Sequence, residues 1–80
     1  MKIQYDKVAD AMYIYLKEGK IHQTIPVSNY VIVDVDKEGK TIGIELLDAS
    51  TMSGFDPEKN IFNGVPVEDI TTSTPAVVWA

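Results

Sequence analysis

Residues 30–36 read Tyr-Val-Ile-Val-Asp-Val-Asp, residues 37–40 read Lys-Glu-Gly-Lys, and residues 41–47 read Thr-Ile-Gly-Ile-Glu-Leu-Leu. Centring a turn on Glu38-Gly39 sets Val35 opposite Ile42, Val33 opposite Ile44 and Val31 opposite Leu46. Each pair joins two aliphatic side chains on one face, because strand side chains alternate with a period of two. Gly39 supplies the positive φ that a tight hairpin turn needs. The β-branched residues suit a pleated, half-buried surface. This stretch predicts an antiparallel hairpin with one oily side.

Two more hairpins fit the same rule upstream. Ile3 and Tyr5 alternate with polar neighbours, a turn follows at residues 6–10, and Met12, Ile14 and Leu16 alternate again. Pairing Tyr5 with Met12 sets Ile3 against Ile14 and Met1 against Leu16, whereas a slip of one would send Ile3 to the wrong side. Asp6 can cap this turn by accepting backbone N–H bonds, and Asp10 can close it. A second turn at Glu18-Gly19 pairs Leu16 with Ile21 and Met12 with Ile25, with Gln23 a polar misfit opposite Ile14. Pro26 removes a donor and predicts a short or edge strand.

The alternation stops at Ala49. Asp56-Pro57-Glu58-Lys59 reads as an N-cap with proline at the first helical position, and Asn63-Gly64 as a helix stop. Thr71-Thr72-Ser73-Thr74-Pro75 reads as a connector, and Ala76-Val77-Val78-Trp79 as an apolar end that docks. The expected fold is mainly β: an antiparallel meander of four or five strands with one or two short C-terminal helical turns. Residues 1–80 form a single domain, with the meander in 1–50 and an irregular extension, 51–80, packed on it.

Size and composition narrow the function. An 80-residue chain buries only about 60% of its unfolded surface and is marginal alone. With no cysteine and one histidine, it has no disulfide and no multi-histidine metal site, which leaves self-association as the stabilising device. The net charge is −5 and all seven basic residues are lysine. Bidentate arginine readout of phosphate or guanine is absent, so no nucleic-acid partner is expected. No apolar run is long enough to cross a membrane, and Met1-Lys2-Ile3 leads directly into strand-like sequence without a secretory pattern. A soluble, cytoplasmic protein is expected.

The oily face holds Ile3, Tyr5, Met12, Ile14, Leu16, Ile21, Ile25, Val27, Val31, Val33, Val35, Ile42, Ile44 and Leu46. Each gains about 1.5–3 kcal/mol on full burial, so the face must be covered. The C-terminal segment offers only Met52, Phe55, Ile61, Phe62 and Ile70, enough for part of it. The opposite face adds Tyr13, Tyr15, Tyr30, Ile32 and Leu47; together with Trp79 these are the interface candidates of a homodimer.

Candidate chemistry is sparse. Asp34 and Asp36 share the outer side of one strand, and Glu45 lies diagonally from Asp34 across the hairpin. Such oxygens suit a hard cation, and paired carboxylates are the minimum for acid–base hydrolysis. The simpler role is a solvated acidic face that blocks unwanted strand pairing. Asp34, Asp36 and Glu45 are therefore the metal candidates, with no catalytic residue and no cofactor assigned. His22 lacks a Cys or Ser partner nearby, and Gly39-Lys40-Thr41 mimics a phosphate loop but carries Asp34 where the upstream glycine belongs.

The pattern Ile3-x-Tyr5-Asp6-x-x-Ala9-Asp10-Ala11-x-Tyr13-Ile14 resembles the small prokaryotic family known as domain of unknown function 2283. So do Val31-Ile32-Val33-Asp34 and Gly43-Ile44-Glu45-Leu46-Leu47-Asp48-Ala49-Ser50. The resemblance covers about residues 1–50 and stops at Thr51. Asp6, Ala9, Asp10, Tyr13, Asp34, Glu45 and Asp48 fit the motif, and no catalytic role comes with them. The resemblance implies an antitoxin-like or partner-binding role. The expected function is thus a small non-enzymatic protein-binding module that self-associates and takes a small basic partner through electrostatic complementarity. A carboxylate-based metal or hydrolytic site is the alternative.

Overall fold

The computed structural model describes residues 1–71. Its strands are β1 (Lys2–Asp6), β2 (Ala11–Tyr15), β3 (Gln23–Pro26), β4 (Val31–Val35), β5 (Thr41–Leu47), β6 (Phe55–Asp56), β7 (Ile61–Phe62), β8 (Val65–Pro66) and β9 (Glu68–Asp69). A single 3-10 turn, Ala49–Thr51, follows β5. The main sheet has six strands in the order β3-β4-β5-β2-β1-β9, and β6, β7 and β8 form a small second sheet. The mainly β expectation holds, with more strands than anticipated.

Two registers are those the alternation requires. In β1–β2, Ile3 faces Ile14 and Tyr5 faces Met12. In β4–β5, Val31 faces Leu46 and Val33 faces Ile44. Near the turn the pairing slips so that Val35 faces Thr41, and Ile42 becomes the extra residue of a bulge. The turn itself closes with Asp36 N donating to Lys40 O at 2.9 Å, and Gly39 adopts φ 82°. That is a three-residue hairpin loop ending in a left-handed glycine.

The order is not a simple meander. The hairpin expected around Glu18-Gly19 does not form: β2 pairs with β5, setting Met12 against Leu46 and Ile14 against Ile44. This match has no polar misfit, whereas pairing with β3 would have placed Gln23 opposite Ile14. Residues 17–22 instead carry the chain past two strands to β3, which pairs with β4 at the sheet edge. Pro26 belongs to that edge strand, as its missing N–H demands. The other edge is closed by β9, which runs parallel to β1.

The helical turns expected after residue 55 are replaced by hairpins. Asp56 Oδ1 accepts from Glu58 N at 3.0 Å and Lys59 N at 3.2 Å, so Asp56-Pro57 initiates a β-turn between β6 and β7. Asn63 and Gly64 both take positive φ, 48° and 81°, and form the two-residue turn between β7 and β8.

This C-terminal segment covers one face of the main sheet. Ile3, Tyr5, Met12, Ile14, Leu46, Ala49, Phe55 and Val67 form the core, with Met52, Phe62 and Val65 packed against it. Tyr5 and Phe55 meet edge to face, with centroids 4.7 Å apart. Met12 is fully enclosed at the centre. Met12→Ala is expected to cost about 2–5 kcal/mol, because the site cannot collapse around the lost atoms. Urea unfolding checks this; a loss within the error of the midpoint would contradict the assigned core.

Candidate functional site

Among the described residues, the face of the main sheet opposite the lid carries a polar constellation. Across β3, β4 and β5, Thr24 faces Asp34 and Asp34 faces Gly43. One step along, Tyr13 on β2 faces Glu45 on β5. Asp34 is only 3% exposed although it is ionisable and lies on the outer face. Its carboxylate accepts from Thr24 Oγ1 at 2.6 Å and from the Tyr13 hydroxyl. Burying a carboxylate is costly unless such donors satisfy it.

Tyr13 reaches Asp34 by lying across β5, and Gly43 is what lets it. A Cβ at Gly43 would collide with the Tyr13 hydroxyl oxygen and lie 2.6 Å from its Cζ. Burial, the hydrogen bond to Asp34 and the Asp34 charge all push the Tyr13 phenol upward, so it remains protonated and donates. Tyr15 packs edge to face on Tyr13 at 4.6 Å. Glu45 is half-buried beside this group; burial first, then the Asp34 charge, raises its pKa.

A second polar node sits at the end of β1–β2. Asp6 Oδ1 accepts from Val8 N at 2.9 Å and Ala9 N at 3.1 Å, which caps the turn as its position suggests. Asp10 adopts φ 51° and gathers three donors: Tyr5 hydroxyl at 2.8 Å, Ser50 N at 2.8 Å and Ser50 Oγ at 2.6 Å. Burial opposes the charged form of Asp10, but these bonds outweigh it and hold the carboxyl below its usual range. Burial, followed by the Asp10 bond and charge, pushes Tyr5 up to about 12. The Asp10 node ties the 3-10 turn, and so the start of the core cover, to the first hairpin.

The three metal candidates are not one cluster. Asp34 is enclosed by its hydroxyl donors. Asp36 turns to the hairpin loop, where it accepts from Glu38 N at 3.0 Å and Lys40 N at 2.9 Å and pairs with Lys17 at 3.2 Å. Glu45 stays beside Asp34. Among the described residues, no group of three or more His, Cys, Asp or Glu side chains is placed to hold a metal ion.

Of the interface candidates, Tyr13 is buried, Ile32 and Leu47 are half-buried, and Tyr15 and Tyr30 are exposed. Trp79 lies outside the described residues. His22 is exposed and lines an open groove of about 380 Å³ with Lys20, Ile21, Asp36, Lys37 and Glu38. The arrangement around Asp34 braces β2, β3 and β4. Thr24 and Gly43 are the members that spacing alone misses. A glycine inside a strand is the available signal, since it marks a close approach.

Residues 2–50 match the family described as "Protein of unknown function (DUF2283)". Over 78 residues the chain is 27% identical to an uncharacterized protein of Methanocaldococcus jannaschii; the alignment takes in 98% of this chain and 66% of that protein's length. No solved structure matches the chain. Among the described residues no helix is long and apolar enough to cross a membrane.

Two outcomes follow from the outer-face geometry. Tyr13→Phe leaves a buried Asp34 oxygen without its donor and is expected to cost about 1–3 kcal/mol in chemical unfolding; an unchanged midpoint would show that the bond contributes nothing. Glu45 has a folded pKa above its unfolded one, so its charged form costs stability as pH rises through that window. Glu45→Gln should therefore raise the melting temperature at pH 7. The gain should shrink as pH falls through the raised folded pKa and be gone below about pH 4.3, where the unfolded glutamate is also protonated. A gain that persists undiminished in acid would contradict this.

Proposed function

The chain belongs to the DUF2283 family, a family of unknown function, and on its own geometry we propose that it is a non-enzymatic protein-binding module. The observation that carries this is a contrast between its polar and apolar surfaces. The buried carboxylate Asp34 is engaged by its own sheet, while Ile21, Ile25, Val27 and Tyr30 stand exposed to solvent. Side chains of that size on one segment form a surface suited to macromolecular docking. In this reading the module acts in the cytoplasm and self-associates. It also takes a small basic protein, in the manner of an antitoxin. Residues 41–71 hold six acidic residues against one lysine, which supplies an attractive field for such a partner.

The rival reading, a metal or hydrolytic site, draws on Glu45, whose pKa is raised by burial and by its neighbour Asp34. Calorimetric titration with Ca²⁺, Mg²⁺, Mn²⁺ and Zn²⁺ separates the two. The binding-module reading expects no saturable heat from any of them. Saturable heat that Asp34→Ala or Glu45→Gln abolishes would overturn it in favour of the chemical site.

A further inference from the structure

We propose that the partner at the exposed apolar surface is a second copy of this chain, packed face on face over β3 and β4. The inference rests on the binding-module reading and names its partner and its surface. Two rows of side chains cross the inner face of the main sheet. One runs Ile3, Ile14, Ile44, Val33, Ile25 through the paired registers. Its exposure rises from 3% at Ile3 to 38% at Ile25. The next row runs Tyr5, Met12, Leu46, Val31, and Val27 extends it by donating its N–H to Val31 O at 2.8 Å. Exposure climbs from 2% at Tyr5 to 64% at Val27. Among the described residues, the cover supplied by residues 49–67 therefore lies over β1, β2 and β5, thins over β4 and gives out at β3. Val31 and Val33 are half-buried, and Ile25 and Val27 continue the same surface exposed to solvent.

Charge selects the occupant. Residues 17–40, which hold β3, β4 and their loops, carry four lysines and four acidic residues and are neutral. The net charge of −5 resides in residues 41–71, which supply the core cover and the far edge strand β9. Two copies meeting through the neutral end keep their acidic ends apart, so like-charge repulsion does not oppose the contact. A basic partner is drawn to the acidic end instead. The loops beside the neutral face alternate in sign, Lys17-Glu18 and Lys20 on one, Asp36-Lys37-Glu38 and Lys40 on the other. A two-fold contact is reciprocal, so a lysine of one copy set against a carboxylate of the other is matched by the same pair across the axis.

Backbone geometry selects the mode. Val27–Val31 is a hydrogen-bonded pair, and the antiparallel ladder alternates. Thr24 and Pro26 therefore present their backbone edges outward. Pro26 has no N–H to offer there, which blunts the edge against addition of another strand. Packing through the face needs no such donor, and sheets stack in this way about 10 Å apart.

The full chain lacks cysteine, so single labels are clean. Light scattering at tens of micromolar should give twice the 8.9 kDa of one chain. The double variant Ile25→Lys, Val27→Lys should return the mass to one chain with the β circular dichroism retained, since both side chains are already exposed. Spin labels at Ser28→Cys should lie closer across the dimer than labels at Glu58→Cys. A monomeric wild-type chain, a double variant that keeps the doubled mass, or labels closer at Glu58 than at Ser28 would each overturn the proposal. A monomer that also gives no cation heat overturns this inference alone; saturable cation heat lost in Asp34→Ala overturns the reading beneath it.

Discussion

The structure is governed by a shortage of cover. Its main sheet is six strands wide, and the alternation that builds it aligns aliphatic side chains along one face of nearly every strand. A small domain has little chain to spare for covering such a face. Here the lid is made of three two-residue strands and a single 3-10 turn. It seals Met12, Tyr5 and Ile3 and leaves Ile25 and Val27 in water. The burial, the polar nodes and the surface available to partners all follow from where that lid is fastened and where it ends.

Two polar nodes do the fastening and bracing. Asp10 holds Ser50 and Tyr5 at the end of the first hairpin, which anchors the lid over β1 and β2. Asp34 binds Tyr13 and Thr24 on the opposite face, linking the edge strand β3 through β4 to β2. The family-like residues Tyr5, Asp10, Tyr13, Asp34, Gly43 and Ser50 fall into these two groups. In both groups hydroxyl donors hydrogen-bond the carboxylate within the fold. These residues tie strands of the sheet to one another and to the lid.

Local pairings were legible in the sequence because one face must be apolar and a single-residue slip inverts it. Ile3–Ile14, Tyr5–Met12, Val31–Leu46 and Val33–Ile44 all satisfy that rule in the folded chain. The neighbour of β2 was not legible: Met12 suits Ile25 as well as Leu46, and the one signal against β3 was the polar Gln23 opposite Ile14, where β5 offers Ile44. Turn residues misled for a related reason. Asp56-Pro57 and Asn63-Gly64 serve helix ends and β-turns alike, and only the neighbouring two-residue strands decide between them. At the polar site, Asp34 and Glu45 could be singled out from spacing. Their closure by Tyr13 could not, because it depends on a ring crossing β5 at Gly43.

The central claim is that, among the described residues, the lid thins over β4 and gives out at β3, and that a second chain completes it. Amide hydrogen exchange followed at several protein concentrations tests this most directly, because it reads each strand separately. The account predicts strong, concentration-independent protection in β1, β2 and β5. Protection in β3 and β4 should be weak when the protein is dilute and rise with concentration. Equal protection across all five strands at every concentration would contradict it.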